Sequence, residues 1–125
     1  MTKQEIFDRV ATHLLTQGRR SDADDGEGKR ECLYRGPNGL KCAVGCLIAD
    51  EHYTVAVEGL GVSWAFGLDP DLEHVLVKSG IPNEKDSLDL LATLQRVHDG
   101  MLPGAWREGL VVTAERFGLS AAVLG

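Results

Sequence analysis

Four stretches of this chain carry apolar residues at helical spacing, and each runs out at a glycine. Ile6, Phe7, Val10, Ala11, Leu14 and Leu15 form the first stripe, stopped by Gly18. Leu72, Val75 and Leu76 form the second, stopped by Gly80 and Pro82. The third holds Leu88, Leu90, Leu91 and Leu94, with Val97 at its flank, and ends at Gly100. The fourth holds Trp106, Leu110, Ala114 and Phe117, closed by Gly118. Recurrence at 3.6 residues puts one apolar face on each helix, and those faces must be buried against one another. A core built from the first helix and the two C-terminal ones follows.

The start signals agree with these stops. Thr2 with Glu5 is a capping box, in which hydroxyl and carboxylate each take an orphan N–H, so the first helix runs from about residue 3 to 17. Asp69-Pro70 pairs an N-cap with proline at the first helical position. Asp86 or Ser87 caps the third helix, and Pro103 opens the fourth. His13 lies off the first stripe and is expected in solvent. "LSAAVLG" closes the chain as one more turn.

Between the first two helices the pattern changes. "RRSDADDGEGKR", residues 19–30, has one apolar residue, Ala23, and reads as a mobile acidic loop. Gly36-Pro37-Asn38-Gly39 is a strong turn, because proline presets φ and Asn and Gly tolerate positive φ. Its β-compatible flanks predict a hairpin with arms near 31–35 and 40–44, Arg35 opposite Leu40 and Leu33 opposite Cys42. "TVAVEGLGVSWAFG", residues 54–67, is irregular, with a short helix near Ser63–Phe66. The expected fold is α+β and mostly helical: about five helices packed around a small two-stranded β-hairpin. The 125 residues make one domain, 1–125, large enough for a real core without staples.

Charge narrows the partners. With 13 Lys+Arg against 19 Asp+Glu the net charge is −6, which argues against nucleic acid as a sequence-independent partner. No run approaches the length of a membrane span. The N-terminal "MTKQEIFDRV" is amphipathic and lacks the apolar region of a signal peptide. Three cysteines, an odd count, then suggest reduced thiols and a cytoplasmic setting.

All three cysteines fall between Cys32 and Tyr53, and three chemistries compete there. Cys32, Cys42, Cys46 and His52 are a legitimate zinc set, though C-x9-C-x3-C-x5-H lacks the C-x2-C knuckle. A fold with this many apolar elements needs no metal, and no metal or cofactor is expected. Cys42 as a nucleophile, with His98 as its base, makes a catalytic pair if a helical turn begins near Cys42 and lowers the thiol pKa. Asp99, adjacent to His98, points about 100° away on a helix and is a poor orienter; Asp50 or Glu51 would serve better. Against both chemistries stands packing: free cysteine usually behaves as a small hydrophobe. Tyr34, Arg35 and Trp64 are the binding candidates, Arg35 for an anion and Trp64 as an apolar anchor.

The segments "QEIFDRVATHLLTQG", "YRGPNGLKCAVGCLIADEHY", "LLATLQRVHDG" and "AERFGLSAAVL" together resemble a family of small proteins of tailed bacteriophages and prophages, with no assigned activity. The resemblance covers most of the chain, in the same order. It implies a phage-linked cytosolic accessory protein expressed inside a host. The expected function is binding a host or phage macromolecule as an inhibitor or adaptor, with counter-defence one such role. The alternatives are a small cysteine-dependent enzyme using Cys42 and His98, and a zinc-stabilised binding module.

Overall fold

In a computed structural model, residues 1–24, 26–60 and 69–125 are described. Four α-helices appear among them: α1 (Lys3–Gln17), α2 (Pro70–Lys78), α3 (Lys85–Gly100) and α4 (Trp106–Phe117). Among the described residues six single 3₁₀ turns account for the rest of the helical backbone, so the expected count of about five helices becomes four plus turns there. The stretch Ser63–Phe66 lies outside the described residues.

The α1 cap is the reciprocal box read from the sequence. Thr2 Oγ1 accepts from the Glu5 N–H and Glu5 Oε1 accepts from the Thr2 N–H, both at 3.1 Å. Ile6, Phe7, Val10, Ala11 and Leu14 are buried, whereas Leu15 sits at the edge of the stripe, 37% exposed. These side chains meet Leu88, Leu90, Leu91, Leu94 and Val97 of α3 and Trp106, Leu110 and Ala114 of α4 in one core. Each fully buried Leu, Ile or Phe contributes about 1.5–3 kcal/mol of transfer free energy. Leu72, Val75 and Leu76 join α2 to the same core.

The two-stranded sheet lies elsewhere than expected. β1 (Asp22–Asp24) pairs antiparallel with β2 (Arg30–Cys32), placing Asp22 opposite Cys32 and Asp24 opposite Arg30. Part of the segment read as an acidic loop is therefore a strand, and Ser21 just before it is buried. Around Gly36–Gly39 only a single bridge forms, Arg35 opposite Lys41 rather than Leu40. Asn38 and Gly39 both take positive φ, and the turn takes in one residue more than a four-residue reading allows. The ladder does not extend because a carboxylate has replaced the partner strand: Glu58 Oε1 accepts from the Tyr34 N–H at 2.8 Å and Oε2 from the Arg35 N–H at 3.1 Å.

His13 is also not solvated. It is half-buried against the start of the Lys41 segment, and its Nε2–H donates to the Lys41 carbonyl at 2.8 Å. Burial lowers its pKa, against the raising effect of that hydrogen bond. Among the described residues no helix is long and apolar enough to cross a membrane.

Candidate functional site

The C-terminal turn of α3 carries a polar network that reaches three segments of the chain. His98 is fully buried there and stacks on Trp106, ring centroids 5.4 Å apart. The backbone N–H of Ser21 donates to His98 Nε2 at 2.9 Å. A backbone N–H can only donate, so Nε2 must be the acceptor and the ring proton sits on Nδ1. Nδ1 in turn donates to Asp99 Oδ1 at 2.7 Å. The expectation that Asp99 points away is thus corrected: neighbouring side chains in the last turn start close enough at Cβ for two short branches to meet. Asp99 feels burial, which raises its pKa, but hydrogen bonds from His98, Cys32 and Gln95 outweigh it and hold the carboxyl below its ordinary value.

The last-turn carbonyls of α3 are taken by a residue the sequence did not single out. Arg20 donates from Nε to the His98 carbonyl at 3.2 Å and from Nη2 to the Met101 carbonyl at 2.5 Å. A cation there satisfies orphan acceptors and opposes the negative end of the helix dipole. Trp106 Nε1–H adds a third bond, to the Met101 carbonyl at 3.1 Å. Ser21 Oγ donates to the Leu33 carbonyl at 2.7 Å, and the Leu33 N–H returns to the Ser21 carbonyl at 2.8 Å. Residues 20–21 therefore tie β1, β2 and the end of α3 together.

The thiols are placed by this network. Among the described residues, Cys32, His98 and Asp99 are the set whose ligand-type atoms lie within 4.8 Å of one another. A metal on Nδ1 would force the proton to Nε2, where it would face the Ser21 N–H. The set is therefore suited to hydrogen bonding and does not fit a metal. The zinc candidates do not converge. Cys42 is buried in the core and Cys46 half-buried, its thiol 3.1 Å from the Ala43 carbonyl, while His52 stands beside Glu51 on a separate turn. Burial pushes the Cys42 and Cys46 thiols up to about 12. The Cys32 thiol is pushed up to about 11, first by local burial and then by the charge of Asp99. No hydrogen bond joins Cys42 to His98, and the Nε2 lone pair that would take a thiol proton already accepts from Ser21. Cys42 instead accepts the Gly45 N–H at 3.3 Å. Cys32, Tyr34, Cys42, Gly59, Gln95 and Asp99 line a cleft of about 200 Å³ above these groups.

Tyr34 and Arg35 are both committed inside the fold. The Tyr34 hydroxyl donates to the Leu60 carbonyl. Arg35 pairs with Asp50 at 2.7 Å, donates to the Ile48 carbonyl at 2.8 Å and lies 4.6 Å over the Tyr53 ring. Tyr53 donates its hydroxyl to Glu58 at 2.5 Å; burial and that carboxylate push its pKa up to about 12. Gly45 packs so tightly under this clasp that a Cβ would lie 1.9 Å from the Tyr34 carbonyl oxygen. The motif "YRGPNGLKCAVGCLIADEHY" thus reads as a structural clasp. Trp64 lies outside the described residues.

Among the described residues, cations without a carboxylate partner gather on another face, Arg116 lying 5.2 Å over the Phe117 ring. Between α3 and α4 runs a groove of about 510 Å³, floored by Val97, Met101, Gly109 and Thr113. Val112 stands in it 63% exposed. Arg96 and Arg116 flank it, one from each helix, and both donate to Thr93 Oγ1, at 3.3 and 3.4 Å. Neither arginine pairs with a carboxylate among the described residues. The sequence signal for this face was weak: Val112 is off the apolar stripe of α4, and the two arginines are twenty residues apart. Comparison with known proteins gives no match to a family model, a curated protein or a solved structure.

Proposed function

We propose that this protein is a binding protein, a phage-linked accessory factor of the kind its sequence resembles, that alters a host or phage macromolecule by occupying it in the cytoplasm. One observation carries the reading. The residues with catalytic chemistry are tied into hydrogen bonds within the fold, while the α3–α4 groove leaves an exposed valine and two cations without carboxylate partners. Val112 between the two arginines gives an apolar centre with a charged rim, the arrangement that interfaces share. The groove is built on two helices that pack closely, because Gly109 has no side chain to hold α4 away from Met101 and Val97. A surface already formed by two packed helices binds without first being ordered, and less affinity is lost to entropy.

The test is paired affinity capture from host cells, with the wild type and a Val112→Glu variant. The substituted side chain is exposed, so melting temperature should be unchanged. A stoichiometric partner held by the wild type and lost by the variant supports the reading. A partner held equally by both, or none at all, overturns it.

A further inference from the structure

The groove also has a chemistry of its own, and the inference from it rests on the binding reading above. We propose that the α3–α4 groove recognises an acidic peptide segment of its partner, with two carboxylates on Arg96 and Arg116 and an adjacent apolar side chain against Val112 and Met101. The charges come first. The chain carries a net charge of −6, and several other cations are already neutralised locally: Lys3 by Asp86, Arg35 by Asp50, Lys85 by Asp89. Arg96 and Arg116 are instead brought side by side onto one neutral oxygen. Thr93 gives its own proton to the Asp89 carbonyl at 2.8 Å, so only lone pairs face the two guanidinium groups. Two like charges sharing a hydroxyl repel each other, and an anion laid across them removes that repulsion while gaining forked hydrogen bonds.

The floor decides what carries the anion. It is apolar and smooth: Gly100 and Gly109 contribute no side chain, and Met101 adapts its shape easily. A peptide can match two carboxylates and an apolar residue together, whereas a nucleic acid needs a run of cations along its phosphates and this groove offers two. Glu108, on the same groove, repels a carboxylate placed beside it and so gives the bound segment a direction.

The experiment selects from a random dodecapeptide display library on the full-length protein. Selected peptides are then measured by fluorescence polarisation and by amide shifts in NMR. The expected peptides carry at least two Asp or Glu residues next to an apolar one, shift amides of α3 and α4, and bind more weakly as salt rises. Reversing both charges, Arg96→Glu with Arg116→Glu, should weaken binding at least about tenfold. Both side chains are exposed, and an unchanged melting curve confirms the variant's fold. Peptides that map to the groove without acidic residues, or that ignore the charge reversal, overturn this inference and leave the binding reading standing. A dT oligonucleotide of equal length binding with the same arginine dependence also overturns it, in favour of nucleic acid. No peptide and no oligonucleotide on the groove overturns both.

Discussion

Replacing His98 with leucine keeps roughly the volume of the ring and removes both of its hydrogen bonds. The Ser21 N–H then loses its acceptor in a buried position, which costs about 1–3 kcal/mol. Loss of the stack on Trp106 adds about 0.5–1.5 kcal/mol. Asp99 loses a donor too, but it is open enough for water to replace it. The sum is about 1.5–4.5 kcal/mol. For a chain of this size the urea dependence is about 1–3 kcal/mol per molar, so the unfolding midpoint should fall by about 1–2 M. His98→Gln, which keeps an acceptor within a similar reach, should lose less. Equilibrium urea unfolding followed by tryptophan fluorescence reads both. A midpoint for His98→Leu within about 0.2 M of wild type, or a glutamine variant as weak as the leucine one, would refute the assignment of the network.

Gly45→Ala forces a Cβ to within 1.9 Å of a backbone oxygen, so the melting temperature should fall by about 10 °C or more, while Gly104→Ala, with open space around it, should be close to neutral; equal effects would show that the clasp is misplaced. His13 is pushed toward its neutral form by burial, so its NMR titration should give a pKa below the ordinary 6.5. Its contribution to stability is then full above the unfolded value and lost as pH falls through the folded one, a loss absent in His13→Gln; a pKa at or above the ordinary value would reverse the sign. With all three thiols raised to about 11–12, iodoacetamide near neutral pH should label the folded protein slowly and the urea-unfolded protein fast. One cysteine reacting rapidly in the folded state would restore a nucleophile.

The helices are legible in the sequence because one period, sustained over 9 to 16 residues, is a local property. The clasp is not, because its bonds join irregular segments. Nothing in "VAVEGL" announces that Glu58 will stand in for a β-strand by accepting two consecutive N–H groups. The same holds for residues 19–30, where the composition reads as solvated although Arg20 and Ser21 find partners on α3. Chemistry at Cys42 stood as an alternative to packing because residue type was visible in the sequence and burial was not. The hairpin was expected one element too late, since turn chemistry at Gly36–Gly39 gives the reversal but not whether a ladder follows.

Ser21 and His98 are 77 residues apart along the chain. Bringing two such distant points together costs about 4 kcal/mol in loop entropy by logarithmic scaling, before any bond rewards it. The α1 cap, by contrast, closes over three residues. Contacts of such long span form late, after the local helices have condensed, so they are weakly developed at the folding barrier. The network at the end of α3 is therefore a latch on escape from the native state. Weakening it should hasten unfolding and leave the refolding rate nearly as it was.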